Sequence, residues 1–348
     1  MTSIQEFSVS RTTVTSRICQ SVLLICVFWM LFIASGDNKA SQGKIIDICV
    51  FIVLASMWNL LTGFSGLISI GQQAFVGLGA YSLIVLANGV GINIYLAVIP
   101  SAIIVAIISI PLGLVAFRLR GGYFAIGTWV IAEVVRLIVK NNQSSVIGAG
   151  TGTSLEVSES LKSGRYQVTT FIAIAVAVVS VVFVYLFLRS RFGLALQSVR
   201  DNETGARSLG VDSYRVRFVA YIVASFFTSL AAATYYIKGL SVQPDAAFNI
   251  GSWTAPIIVM VVIGGIGTIE GPIIGAVLYY LVRDFVSKHE FFSDPTFLIL
   301  TGVVALIFAL FVKGGIWGLL LRKFPKLTVF PVKRRVHIEN FQFDQRGN

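Results

Sequence analysis

The chain has 348 residues, of which 56% are apolar and 12% are charged, and its formal net charge is +11. A typical water-soluble domain carries about 25% charged residues, so this composition excludes a soluble fold and predicts an integral membrane protein. Three cysteines, Cys19, Cys26 and Cys49, lie in apolar runs and lack the spacing of a disulfide framework or of a metal site. We therefore expect neither a metal nor a cofactor.

Apolar runs with few or no charged residues follow one another along the whole chain, and each is a candidate membrane helix. The ten runs are 18–35, 45–62, 74–88, 92–117, 123–139, 168–188, 218–237, 254–264, 272–282 and 296–312. They predict an all-α polytopic bundle of about ten (nine or ten) transmembrane helices. The first run also fits the apolar region of a signal peptide, but its length favours a retained helix.

The basic residues predict the orientation of this bundle. With the N-terminus inside, 18 of the 27 Lys and Arg residues fall on segments that lie in the cytoplasm, as the positive-inside rule requires. We expect both termini in the cytoplasm, with a tail over 1–17, a transmembrane domain over 18–318 and a basic tail over 319–348. Anionic lipid is the expected contact of the basic tail, ahead of a protein partner. This asymmetry accounts for the net charge without nucleic acid.

Two glycine-rich breaks interrupt the apolar runs. The first contains Gly63, Gly66, Ser69, Gly71 and Gln72, and the second contains Gly264, Gly265, Gly267, Glu270 and Pro272. As a helix, run 254–264 is about 16 Å long, too short for a hydrocarbon core of about 30 Å. Non-helical backbone at membrane depth needs protein or a water-lined cavity around it, so both breaks are predicted to line a translocation pathway rather than merely to pack closely.

Single residues within these regions carry further predictions. Gly63, Gly66 and Ile68 recur as Gly264, Gly267 and Ile269, which suggests a duplicated half. Pro272 is predicted to begin a helix. For Gly77 and Gly79, close helix packing is favoured over a pathway role.

Four charged residues lie in or near the apolar runs. Glu133 and Arg136 are three residues apart and share one helix face, and we expect mutual neutralisation ahead of contact with a substrate. Glu270 either lines the pathway or braces the second break by hydrogen bonds. Asp47 is placed in the first turn of the second helix, where the helix dipole suffices to explain it.

The longest cytoplasmic loop, 189–217, has its own helical signals. Asp201 or Asn202 is expected to cap a short helix, Glu203 suits the first turn, and Gly210 is expected to end it. Its exposed face is predicted to combine Ala206, Leu209 and Gly210 with Arg200 and Arg207. Such a helix suits a segment through which a motor subunit moves the permease. It suits equally an amphipathic loop that rests on anionic lipid headgroups.

Several blocks, in order and spacing, resemble one family. These blocks are 58–81, 119–126, Glu133 with Arg136, 193–211 and 263–276. They are similar to the LivM-type permease subunits of ABC transporters for branched-chain amino acids, and the resemblance runs from about residue 45 to 318. It implies a multi-pass protein of the bacterial plasma (inner) membrane. The implied partners are two cytoplasmic ABC ATPases, a homologous second permease and an extracytoplasmic substrate-binding protein.

The resemblance also assigns a role to the loop. Gly193, Ala195, Glu203, Ala206 and Gly210 match the segment that couples the permease to the ATPase in that family, and Arg200, Asn202 and Leu209 complete the predicted coupling loop. The chain contains no Gly-x-x-x-x-Gly-Lys-Ser/Thr run, so it is not expected to be an enzyme, and ATP hydrolysis is expected on the partner subunits.

Other functions remain open at this point. The outer loop reads Gly148-Ala149-Gly150-Thr151-Gly152 where the family pattern is close to Thr-Gly-Gly-x-x-Gly, which leaves a urea or short-chain amide permease as an alternative. An ion-coupled secondary transporter would use the broken helices but would leave the coupling loop unexplained. A membrane enzyme is disfavoured because the two histidines, His289 and His337, are far apart.

Overall fold

The computed structural model describes residues 6–10, 14–36, 38–148, 150–156, 159–288, 294–312, 314–324, 329–330 and 335–339. In chain order the helices are α1 Val14–Ala34, α2 Lys39–Asn59, α3 Gln72–Ile84, α4 Val98–Ala116, α5 Gly122–Lys140, α6 Glu159–Arg189, α7 Arg191–Asp201, α8 Glu203–Ser208, α9 Ser213–Gly239, α10 Pro244–Ala247, α11 Thr254–Gly264, α12 Glu270–Ser287, α13 Asp294–Phe311 and α14 Gly315–Lys323. Short π-helical turns, Leu60–Phe64 and Val85–Gly89, extend α2 and α3. The described chain is thus a helical bundle, as predicted.

Five helices are long and apolar enough to cross a bilayer within the described residues. These spans are 39–64, 98–116, 122–140, 164–189 and 213–239, and a sixth forms if α13 and α14 are one bent span. The predicted count of about ten is not confirmed. Several predicted runs are shorter helices instead: α11 has 11 residues and α3 has 13 before its π turn.

The core of the bundle surrounds α3, every residue of which is buried. This helix packs against α4, α5 and α9, while α2 packs against α6, α9 and α12. Gly79 allows the close approach of α3 to α9, because a Cβ there would lie 2.7 Å from the carbonyl oxygen of Ser229. The packing role predicted for Gly77 and Gly79 is therefore confirmed, since a Cβ at Gly77 would meet the ring of Phe248.

The second break is a tight turn between α11 and α12, which pack closely against each other. A Cβ at Gly264 would lie 1.9 Å from the carbonyl oxygen of Gly271, and one at Gly275 would lie 1.8 Å from that of Met260. Much of the glycine content here therefore serves close helix packing, the explanation that the sequence disfavoured. The helix begins at Glu270 and not at Pro272, so that prediction was wrong by two residues.

Two pairs of short antiparallel strands accompany the helices, one between the ends of the described chain and one between two inter-helix connections. β1 (Glu6–Ser10) pairs with β4 (Arg335–Glu339), and β2 (Thr153–Ser154) pairs with β3 (Ser241–Val242). The β1–β4 pair joins the N-terminal tail to the basic tail, a contact that the sequence did not predict. Several residues of these predictions lie outside the described residues, namely Ala149, His289 and the basic residues 326, 333 and 334.

Candidate functional site

The two breaks lie against each other and are joined by a buried amide. Asn59, on the last turn of α2, donates from Nδ2 to the carbonyl oxygen of Thr268 at 2.7 Å and accepts at Oδ1 from the Gly267 N–H at 2.8 Å. Its exposure is 1%. One side chain of the first break thus satisfies two backbone groups of the second, which lies 208 residues further along the chain.

One pair of matching glycines in the two breaks has similar positive φ angles. Gly66 has a φ of 73° and Gly267 a φ of 77°, in the left-handed region where glycine is favoured. Gly63 has no such requirement but faces Asn59 and Gly267 so closely that a Cβ would lie 2.1 Å and 2.6 Å from their nearest atoms. At this one position the weak sequence repeat coincides with a shared φ.

Two arginines of the coupling-loop region reach the first break. Arg200, in the last turn of α7, donates from Nη1 to the carbonyl oxygen of Gly63 at 2.8 Å, and Arg217, in α9, donates from Nε to that of Ser65 at 3.2 Å. Carbonyl groups at the end of a helix have no partner within it, so these guanidinium groups satisfy backbone that the break exposes. Arg200 also pairs with Asp201.

The predicted coupling loop forms two short helices at an angle. Asn202 caps α8 through its side-chain oxygen, which accepts from the Gly205 N–H, and Gly210 follows that helix with a φ of 82°, as the sequence predicted. Gly193 is required where α7 folds back, because a Cβ there would lie 2.3 Å from the Cα of Leu188. Leu209 is 85% exposed, so an apolar tip projects from the loop.

One residue of this loop differs from its prediction. Ala206 is 3% exposed and packs inward, so it does not contribute to an exposed apolar face with Leu209. The reason is that α8 is short and rests on α9, which leaves only its end free. Ala195 is half-buried on α7.

Glu203 holds the loop together electrostatically. Its carboxylate accepts from Arg207 at 2.6 Å, from Arg217 at 2.7 Å and from the Ser213 hydroxyl at 3.2 Å. Burial alone would raise the pKa of Glu203, but the two arginines and their hydrogen bonds outweigh it and keep the pKa below its usual value. Because Arg217 contacts both Glu203 and Ser65, its side chain connects the loop to the first break.

The remaining residues of the first break lie deep in the bundle. Trp58 donates from Nε1 to the carbonyl oxygen of Ser69 at 2.8 Å, and Gly71 has no room for a Cβ beside Thr128. Gln72 donates from Nε2 to the Thr228 hydroxyl, near the middle of α9, and its Oε1 has no partner among the described residues. The end of the break from Ser69 to Gln72 is therefore enclosed by protein of the same chain, whereas Gly66 and Ile68 are exposed.

Glu270 braces the second break against the C-terminal segment. Its Oε1 accepts from the backbone N–H groups of Val329 at 3.1 Å and Phe330 at 2.9 Å, and it is 8% exposed. Gln20 of α1 donates to the carbonyl oxygen of Val329. Of the two predicted roles for Glu270, the bracing role describes its contacts.

A second group of charges lies on α5 and α10, away from the breaks. Arg136 forms a fork with Glu133, as predicted, and also contacts Asp245, which accepts from Lys140 at 2.7 Å. The hydrogen bond from Lys140, with Arg136 nearby, lowers the pKa of Asp245. We call these four residues the outer charge network.

Asp47 corrects another prediction. The α2 helix begins at Lys39, capped by Asn38, so Asp47 lies in its third turn and forms an ion pair with Lys238 of α9. The helix dipole is confined to the first turn and does not account for it. The predicted run began after Lys44, which placed the helix start too late, because Lys44 lies inside α2 and forms an ion pair with Asp284.

The comparisons with known proteins identify the family. A family model described as "branched-chain amino acid transport system / permease component" matches residues 44–312. This chain belongs to that family. LivM of Salmonella typhimurium, a high-affinity branched-chain amino acid transport system permease protein, is 25% identical over 313 residues, covering 82% of this chain and 71% of its own. LivM of Escherichia coli is also 25% identical with the same coverage.

A probable LivM of Methanocaldococcus jannaschii is 26% identical over 205 residues, which is 58% of this chain and 59% of that one. Among solved structures, PsaBC from Streptococcus pneumoniae in complex with a Fab aligns with a TM-score of 0.47 at 13% identity, over 82% of this chain and 95% of that chain.

Sequence reasoning missed three residues of this arrangement. Asn59 was visible as a lone amide in an apolar run, between Trp58 and Leu60, but its partners are distant in sequence. Arg217 lies at the end of the predicted loop and was counted only as positive charge. Asp245 lies in an outer segment to which no role was given.

Proposed function

We propose that this chain is a transmembrane permease subunit of a binding-protein-dependent ABC importer that moves branched-chain amino acids into the cytoplasm. The observation that carries the proposal is the family match over residues 44–312. As a multi-pass protein of the bacterial inner membrane, it would pair with a homologous second permease. Two cytoplasmic ATPases would drive it, and an extracytoplasmic binding protein would supply the substrate.

The coupling loop supports this proposal by its shape and its connections. Leu209 and Gly210 form an exposed tip, while α8 behind it is fastened to α9 by the ion pair of Glu203 with Arg217. A rigid body with a small exposed tip suits insertion into a cleft of an ATPase. Arg200 then connects that rigid body to the Gly63 carbonyl, so a displacement of the loop reaches the first break directly.

The breaks are proposed as bend points of the pathway. Most of their residues are buried within one chain, and the hydrogen bonds of Asn59 make them move together. In alternating access, parts of a permease move against each other around a substrate, and bends in the backbone concentrate such motion at few residues. Gly66 and Gly267 provide the backbone freedom that a bend needs.

The function is tested by purification and reconstitution. The chain is extracted gently from its native membrane, its companions are identified, and ATP hydrolysis is measured with leucine, isoleucine, valine or urea together with the binding protein that co-purifies. We expect two ATPases and a second permease, with stimulation by the three amino acids and not by urea. Stimulation by urea alone, or transport by this chain alone on an ion gradient, would contradict the proposal.

The coupling role has its own test in two charge reversals. Arg200→Glu places a carboxylate against the Gly63 carbonyl, and Glu203→Lys places a third cation beside Arg207 and Arg217. We expect both variants to insert in the membrane and to lose leucine uptake. Arg215→Glu is the matched control, because Arg215 is 82% exposed and pairs only with Asp212 among the contacts described. Normal uptake by both reversals would exclude the coupling role.

A further inference from the structure

The outer charge network includes a carboxylate on the outward face of a membrane span. The side chain of Glu133 is 45% exposed, and it shares its face of α5 with the exposed residues Ile126, Val130 and Leu137. The opposite face, with Phe124, Thr128 and Ala132, is buried against the bundle. Glu133 therefore faces away from its own chain.

This carboxylate lies well below the end of the helix. It is seven residues from Lys140, which corresponds to about 10 Å along an α-helix. A charged side chain near the centre of a lipid-facing helix costs about 2.5 to 3.5 kcal/mol on insertion scales. A half-exposed carboxylate at this depth is therefore expected to face water or protein and not lipid.

The opposite carboxylate comes from a segment that descends from the outer side. Asp245 lies on α10, in the connection between α9 and α11, and its side chain is 59% exposed. The same connection ends at Thr254, whose hydroxyl accepts from the Gln73 N–H at 3.1 Å, at the buried start of α3. Phe248 stacks on Tyr81 in between, with ring centroids 6.1 Å apart. The segment that carries Asp245 is therefore anchored to the buried helix α3 while Asp245 itself reaches α5.

The charges of this network are balanced and alternate in sign. Two cations, Arg136 and Lys140, are interleaved with two carboxylates, Glu133 and Asp245, so the network has no net charge. A free amino acid is also neutral overall and carries one ammonium and one carboxylate. Both kinds of group can therefore be hydrogen-bonded here without leaving an unpaired charge.

We propose that the outer charge network is the place where this chain contacts the ammonium and carboxylate groups of an α-amino acid as it leaves the binding protein, with Glu133 receiving the ammonium group. The inference rests on the proposed import of amino acids and assigns α5 to the wall of the pathway. Charge complementarity favours a zwitterion here over a carboxylic acid or an amine alone. The aliphatic side chain would lie against Val130 and Ile126, which are exposed on the same face.

The experiment uses the complete transporter in proteoliposomes, with the binding protein and labelled leucine outside. Glu133→Gln retains the size and a hydrogen-bond acceptor for Arg136 but removes the charge. We expect leucine uptake to fall at least tenfold while ATP hydrolysis stimulated by the binding protein stays within twofold of wild type. Glu133→Asp keeps the charge and is expected to restore much of the uptake.

Asp284→Asn is the matched control, because Asp284 is also an ion-paired carboxylate but lies on α12 beside Lys44 and Lys288. It is expected to leave the ratio of leucine transported to ATP hydrolysed unchanged. Unchanged uptake in Glu133→Gln would overturn the inference. A parallel loss of uptake, stimulated ATP hydrolysis and affinity for the binding protein would also overturn it, because that pattern indicates a docking role. A loss of uptake that is explained by a lower unfolding temperature would overturn it as well. Absence of ATP-driven leucine uptake in the wild type would instead contradict the proposed function.

Discussion

The contact between the breaks predicts a severe effect of the smallest possible substitution. In Gly63→Ala the new Cβ lies 2.1 Å from Oδ1 of Asn59, 2.6 Å from the nitrogen of Gly267 and 2.9 Å from its Cα. Ordinary contacts need about 3.5 Å, so the breaks must separate by about 1 Å. That movement breaks the two bonds of Asn59, worth about 0.5 to 1.5 kcal/mol each, and adds strain of about 1 to 3 kcal/mol.

We therefore expect Gly63→Ala to lower the free energy of unfolding by about 2 to 6 kcal/mol, which is the sum of the lost hydrogen bonds and the added strain. The measurement is the midpoint of thermal unfolding in detergent, together with leucine uptake by the assembled transporter. Gly302→Ala is the matched control, since a Cβ at Gly302 in α13 meets nothing within 4 Å. Adding Asn59→Ala is not expected to rescue Gly63→Ala, because the contact with the Gly267 backbone remains. A Gly63→Ala protein as stable and active as the control would refute the reasoning.

Three further predictions concern the polar contacts of the site. Asn59→Leu leaves the Gly267 N–H and the Thr268 carbonyl unpaired, which costs about 1 to 3 kcal/mol for each group. Asn59→Asp keeps the acceptor for the Gly267 N–H. The unfolding temperature should therefore be highest for wild type, lower for Asn59→Asp and lowest for Asn59→Leu. Glu203→Gln should be less stable than wild type at pH 7. Because the pKa of Glu203 is lower in the folded state, the stability difference between wild type and Glu203→Gln is present above the unfolded pKa and is lost as the pH falls through the lowered value. Unfolding midpoints of both proteins between pH 7 and pH 3 measure this loss. A stability difference that stays constant with pH would exclude the mechanism. Glu270→Leu removes the acceptor for two backbone groups and should speed proteolysis after α14, while Glu270→Gln should not.

The sequence was informative wherever the signal was local. Run 254–264 corresponds to α11 residue for residue, because glycine ends the helix and no charge obscures it. The caps of the coupling loop were also predictable, since Asn202 and Gly210 act on neighbouring backbone. The ion pair of Glu133 with Arg136 followed from their spacing on one helix face.

The errors have a common physical origin in contacts between distant parts of the chain. Lys44 was taken to precede the second helix, but it lies within α2 and pairs with Asp284 on α12. Ala206 appeared exposed because the support of α8 by α9 cannot be seen from local composition. Asn59 required knowledge of backbone groups 208 residues away. The environment of each of these residues is set by contacts with residues that are distant in sequence.

The connection between the loop and the first break is strong enough for the role we propose. Arg200 and Arg217 contribute two charged hydrogen bonds to the first break, and Asn59 contributes two neutral ones to the second. At about 1.5 to 3 kcal/mol per charged bond, the link from the arginines to the first break is worth roughly 3 to 6 kcal/mol, and at about 0.5 to 1.5 kcal/mol per neutral bond the link between the breaks is worth roughly 1 to 3 kcal/mol. Shifting a two-state equilibrium from 1:99 to 99:1 takes about 5.5 kcal/mol. Because the first link is of similar size, a displacement of the coupling loop is expected to carry the first break with it, whereas the weaker link through Asn59 limits how much of that displacement reaches the second break.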